Sequence, residues 1–239
     1  MLKKTINRWK KFTTGYYNLL LFFIVLLFIF RPYNRSDIYT GSWIFLLAAT
    51  ILASIFNCHH HRYVKWAAVI LAIPTVAFSW LNLMHPHEFE FIGNTICTVL
   101  FMSLCATSIL YDVVLRAHVT LETLRGVICA YFMVAFVFAY IYYMIEYLNP
   151  GTFQFAQKEV SLFSYTYYIS EMLYFSFVTL LTIGYGDIVA VQNVGQTATV
   201  LEGIIGQFYV AMLVARLVSV YSFYSDKRLL RAIERDVTK

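Results

Sequence analysis

Charge is what this chain has least of. Asp, Glu, Lys and Arg make up 13% of its 239 residues, about half the share of an ordinary soluble domain, so a water-exposed globule is excluded. Proline is scarce at 4 and cysteine at 4. Cys97, Cys105 and Cys129 fall within apolar segments and Cys58 in a short loop, which excludes a secreted disulfide framework and suits small buried hydrophobes. Internal repeats, low-complexity segments and nucleotide-binding fingerprints are missing. So is any acid, base and nucleophile set, so the chain is not expected to be an enzyme. His59-His60-His61 beside Cys58 is the nearest approach to a metal cluster. Adjacent histidines point in different directions and no second ligand group completes a tetrahedral set, so an ordinary loop is expected there.

What is present is apolar sequence: 60% of residues are hydrophobic and mean hydropathy is +0.67. This composition reads as an integral membrane protein. The apolar runs are about 17–30, 38–56, 64–83, 94–115, 126–147 and 197–221, each read as a span, with Pro74 expected to kink the third. The first follows a basic start but lacks a small-residue cleavage site, so it is read as retained rather than as a signal peptide. A seventh run, 168–181, is too short to cross and suits a re-entrant half-helix. Thr120 and Glu122, in the polar connection 116–125, predict a short interfacial helix.

Six spans place both termini on one side. With the N-terminus inside, all of the 18 basic residues except Arg31, Arg35 and Lys158 lie inside, as the positive-inside rule requires. The net charge of +5 therefore edges the membrane and implies a lipid partner, not nucleic acid. Leu229, Leu230, Ile233 and Val237 among basic residues predict a basic helix in the tail.

Between the half-helix and the last run lies Thr182-Ile183-Gly184-Tyr185-Gly186-Asp187, too glycine-rich to be helical. Irregular backbone at membrane depth is tolerated only where protein or a water-filled cavity surrounds it. Gly184 and Gly186 permit backbone angles that let successive carbonyls face one line, and such a column, with the Thr182 hydroxyl, can replace the water shell of a hard cation.

Thr179-Leu180-Leu181-Thr182-Ile183-Gly184-Tyr185-Gly186-Asp187 resembles the potassium-channel signature, with Ile183 in place of a valine. The resemblance is close over about 125–221; the first four spans match only the general six-span layout. It implies an all-α membrane protein with six transmembrane helices, a re-entrant pore helix and filter loop between the fifth and sixth, and a homotetramer passing K+ as permeant ion with no other cofactor. The family pattern assigns K+ ligation to Thr182, Ile183, Gly184 and Tyr185, with Gly186 completing the filter. Thr179, Tyr174, Phe175 and Asp187 support it, Tyr185 packing outward against the aromatics and Tyr174 hydrogen-bonding Asp187. Gly206 stands at the usual hinge position, with Gln207 facing the cavity. Val178 replaces an acidic residue of some relatives, and Ala190 a proline.

The implied domains are a four-helix domain over 1–123, a pore domain over 124–222 and a short basic cytoplasmic helix over 223–239. The location implied is the plasma or inner cell membrane, multi-pass, with cytoplasmic termini. Glu202 is expected to be a carboxyl hydrogen-bonded behind the pore helix. Asp112 and Arg116, four apart, are expected to pair. No Lys or Arg occurs between Lys65 and Arg116, so the four-helix domain is expected to lack gating charges and conduction to depend weakly on voltage. The alternative is a non-conducting regulatory or sensor protein with a pore-like fold.

Overall fold

The computed structural model describes residues 16–30, 37–57, 62–84, 88–115, 121–156 and 165–237. The described residues form α1 (Tyr16–Ile29), α2 (Asp37–Asn57), α3 (Arg62–Met84), α4 (Glu88–Leu115), α5 (Leu121–Leu148), β1 (Phe153–Phe155), α6 (Tyr165–Leu180), β2 (Ile188–Ala190) and α7 (Asn193–Val237). Windows within α3, α4, α5 and α7 are long and apolar enough to cross a membrane: Tyr63–Leu81, Ile92–Asp112, Glu122–Leu148 and Asn193–Ala215. Shorter apolar stretches lie in α1, Tyr17–Ile29, and α2, Ser42–Ile55. Uniformly apolar helices of this kind, with every backbone group paired internally, are what hydrocarbon permits. The molecule is a helical membrane protein.

The core lies where α1, α2, α4, α5 and α6 meet, around Leu20, Ile24, Phe101, Met133, Phe136 and Met172, all buried. Aromatic rings join the N-terminal helices to the rest. Phe28 of α1 meets Phe177 of α6 at 4.7 Å and Phe132 of α5 at 6.1 Å, and Phe132 and Phe177 close the triangle at 5.1 Å. Trp43 of α2 lies 6.2 Å from Phe136 of α5. A polar seam joins α3 to α4, with Ser79 donating to Asn94 at 2.9 Å. Nearby, the Thr75 hydroxyl donates to the Leu71 carbonyl at 2.7 Å, next to Pro74, which cannot donate; α3 continues through that proline.

Several expectations shift in detail. The structure is not purely helical, because β1 and β2 pair antiparallel, Phe153 opposite Ala190 and Phe155 opposite Ile188. Of the two residues that suggest an interfacial helix, Thr120 lies outside the described residues, and Glu122 belongs to α5, where it pairs with Arg125 at 2.8 Å on the first turn. The polar run after Asp187 is the start of α7, which then extends without a break to Val237, so the basic tail is its continuation. Asp112 accepts from the Tyr17 hydroxyl at 2.9 Å, tying α4 to α1. Arg116, Cys58 and His59 to His61 lie outside the described residues.

Candidate ion-binding site

The geometry of the glycine stretch begins with the way α6 ends. A helix leaves its last four carbonyls without helical donors. Here all four find one: Phe177 from the amide of Leu181, Val178 from Ile183, Thr179 from Thr182, and Leu180 from the Tyr131 hydroxyl of α5 at 3.0 Å. The pair Ile183 to Val178 and Thr182 to Thr179, both 2.9 Å, is a Schellman cap, whose penultimate residue must be left-handed. Glycine normally fills that place, whereas this chain puts Thr182 there with φ 56°. For a β-branched residue this is strained backbone, and Thr182 is the only non-glycine with positive φ among the described residues.

Beyond the cap the sign of φ alternates. It is positive at Thr182, Gly184 (62°) and Gly186 (77°), and negative at Ile183 and Tyr185. An alternation in the sign of φ is what a backbone needs in order to turn successive amides to one side and carbonyls to the other, as in amide nests. Among the described residues, none of the carbonyls from Thr182 to Gly186 accepts a hydrogen bond, and residues 181–187 are exposed. The row ends at Asp187, whose carbonyl accepts from the amide of Ala156 at 2.9 Å.

The flanking groups are held from several directions. Asp187 accepts from the Tyr174 hydroxyl at 2.7 Å and from its neighbour's amide, that of Ile188, at 3.2 Å. Phe175 is buried in a ring triangle with Tyr142 of α5 (5.2 Å) and Phe153 of β1 (5.5 Å). Thr179 spends its hydroxyl on the Phe175 carbonyl at 2.9 Å. Tyr185 is 68% exposed, so its own chain does not enclose its ring. Behind the loop is a hollow of about 500 Å³, lined by Phe175, Thr179, Thr182 and Gly184 on one side and by Ala190, Thr199 and Val200 on the other.

Gly206 of α7 presses against the end of α6: a Cβ there would lie 2.8 Å from Leu180 Cδ2 and 3.0 Å from its carbonyl oxygen. Gln207, the next residue, is exposed. Three groups that position the loop were not singled out in the sequence. Tyr131, Tyr142 and Ser176 look like filler of apolar helices, and only knowledge of which faces meet reveals their partners. Glu146 carried a visible signal, a carboxyl at the end of an apolar run. It accepts from the amides of Gly151 at 2.8 Å and Phe153 at 2.9 Å, fixing the turn into the β-ribbon. Among the described residues no group of His, Cys, Asp and Glu could hold a metal.

No curated protein and no solved structure matches the chain. Residues 128–223, less than half of its length, match a family model described as ion channel, so the stretch from α5 through the glycine loop into α7 is similar to an ion channel domain.

Proposed function

We propose that this chain is one subunit of a homotetrameric potassium-selective channel, with Thr182 to Gly186 as a quarter of its filter. The observation that carries the reading is the row of carbonyls from Thr182 to Gly186 that accept no hydrogen bond among the described residues. Within a membrane each such group costs several kcal/mol unless something satisfies it. Four copies facing one axis would offer oxygen rings in place of a cation's hydration shell.

The arrangement of the helices supports the rest. Six apolar helices span the membrane in this reading, with α6 re-entrant. It ends in a cap whose strained Thr182 starts the φ alternation. A single buried line on α7, Glu202, Gly206 and Tyr209, faces its own chain, while Leu201, Ile204, Ile205 and Phe208 are exposed. Neighbouring subunits would cover those flanks, and Tyr185 with them. Thr182, Ile183, Gly184 and Tyr185 coordinate K+ as the permeant ion, and Gly186 closes the outer end. Tyr174 through Asp187, with Phe175 and Thr179, hold the loop's shape. Ions pass down their gradient without chemical change, and the cell membrane is the place where such a gradient exists.

The test is K+ flux through purified protein in liposomes, with Gly184→Ala beside it. Alanine at φ 62° is strained although nothing lies within 4 Å of its Cβ, so the variant should fold and assemble yet conduct at least about tenfold less, a penalty of about 1–2 kcal/mol per subunit acting at the ion path. Wild-type protein without K+ flux in any condition, or a Gly184→Ala variant with normal flux, overturns the assignment.

A further inference from the structure

Glu202 is 0% exposed, sits on α7, and touches the two other helices of the pore unit at once. One carboxyl oxygen meets the Tyr142 hydroxyl of α5 and the other the Ser176 hydroxyl of α6. Ser176 has a second neighbour, the Ala135 carbonyl of α5, to which it donates at 2.9 Å. The four residues form a chain of three oxygen-to-oxygen contacts: Ala135 to Ser176, Ser176 to Glu202, Glu202 to Tyr142. Each contact needs one proton between its oxygens. A carbonyl supplies none, and a serine and a tyrosine supply one each. The third proton must belong to Glu202.

The surroundings agree with this count. The titratable groups facing Glu202 are Tyr142 and Tyr131 of α5. From α6 comes Ser176, and on α7 itself Thr199 spends its hydroxyl on the Gly195 carbonyl at 2.8 Å. Among the described residues no Lys, Arg or His pairs with Glu202. An ionised carboxylate buried in a membrane without a cation is strongly disfavoured, whereas a neutral carboxyl can donate to Ser176 while accepting from Tyr142.

We propose that Glu202 is a neutral, proton-bearing carboxylic acid that acts as a positioning residue, fastening α6 to α5 and α7 behind the ion path, and that conduction fails when its proton is withdrawn. Ser176 lies on the last turns of α6, six residues before Thr182, the cap residue that follows that helix. Loss of the proton leaves two protons for three contacts: Ser176 turns its hydroxyl to the carboxylate and gives up the Ala135 carbonyl of α5, an unpaired charge is left buried between the helices, and the carbonyl row that follows α6 loses its alignment. The conducting role rests on the channel reading above; the protonation of Glu202 does not.

The experiment uses the reconstituted full-length protein. Infrared difference spectra, wild type minus Glu202→Gln, should show the carbonyl stretch of a carboxylic acid at neutral pH, disappearing in alkaline medium. K+ flux of the wild type should hold through acid and neutral pH and then fall about tenfold per pH unit, as for one titrating proton. Glu202→Gln, whose amide donates to Ser176 and accepts from Tyr142, should retain flux and lose the alkaline fall, while Glu202→Ala should lose flux. Absence of the carboxylic-acid band, or an alkaline fall undiminished in Glu202→Gln, overturns the proposal. A band present with no flux in any form instead refutes the channel reading and leaves the protonated carboxyl standing.

Discussion

Tyr131 and Leu180 are joined across the boundary between α5 and α6, the phenol hydroxyl donating to the leucine carbonyl at 3.0 Å. Leu180 is buried and ends its helix, so no other donor replaces the tyrosine. Tyr131→Phe keeps the ring, which packs 5.2 Å from Tyr209, and removes only the hydroxyl. A buried acceptor left without its donor costs about 1–3 kcal/mol. The variant should unfold at a lower temperature than wild type in detergent, and its flux should discriminate less sharply between K+ and Na+. An unchanged midpoint would show that the bond contributes nothing.

Thr182 carries two properties that a pair of substitutions separates. Its left-handed φ of 56° costs a residue with a Cβ about 1–2 kcal/mol, while its side chain carries the hydroxyl at the start of the proposed filter. Thr182→Gly relieves the backbone and deletes the hydroxyl; Thr182→Ala deletes the hydroxyl and the γ-methyl group but keeps the Cβ and with it the backbone strain. Both should lose selectivity for K+, but only the glycine variant should gain stability, by about 1 kcal/mol in denaturant titration. Such a trade of stability for function is common at sites held in strain. Equal stabilities in the two variants would remove strain from the account of this residue.

Much of this was legible in the order of residues, for definite physical reasons. Apolar runs of spanning length announce membrane helices because the bilayer leaves few alternatives, and Gly184 with Gly186 announces backbone that helices cannot use. The hydroxyl contacts were illegible. Ser176, Tyr131 and Tyr142 differ from their apolar neighbours by a single oxygen, and whether that oxygen meets a carbonyl depends on helix rotation, which periodicity in a uniformly apolar helix does not specify. The β-ribbon was hidden because three-residue strands carry no periodic signal. Gly206 was legible as a glycine of consequence. Its contact with Leu180 reveals a packing site, and α7 continues unbroken through it.

That packing yields the next prediction. At Gly206 an added Cβ meets the backbone oxygen of Leu180 at 3.0 Å and its side chain at 2.8 Å, and backbone cannot move aside cheaply. At Gly203, three residues earlier on the same helix, a Cβ meets nothing within 4 Å of its own chain. Gly206→Ala should therefore cost about 1–3 kcal/mol, as overpacking generally does, and Gly203→Ala should be neutral or mildly stabilising because alanine is the better helix former. Thermal unfolding of both in the same detergent decides the matter. Equal effects would mean that α6 and α7 do not approach as closely as described.

The dependence of conduction on voltage follows from charge alone. One elementary charge crossing the full membrane field exchanges about 2.3 kcal/mol per 100 mV, which changes an equilibrium by less than about a hundredfold. Several charges are needed for steep opening. In α3 and α4 no Lys or Arg follows Lys65 before Arg116, and Asp112, the acidic group near the end of α4, is held by the Tyr17 hydroxyl at 2.9 Å. Between Lys65 and Arg116 these helices hold no basic residue to move through the field, and their acidic residues are Glu88 and Glu90 in the first turn of α4 and Asp112 near its end. Open probability measured in planar bilayers should change by less than about tenfold over 100 mV, below the effect of one full charge. A thousandfold change would require two or more charges to move, and would place the responsible residues outside α3 and α4.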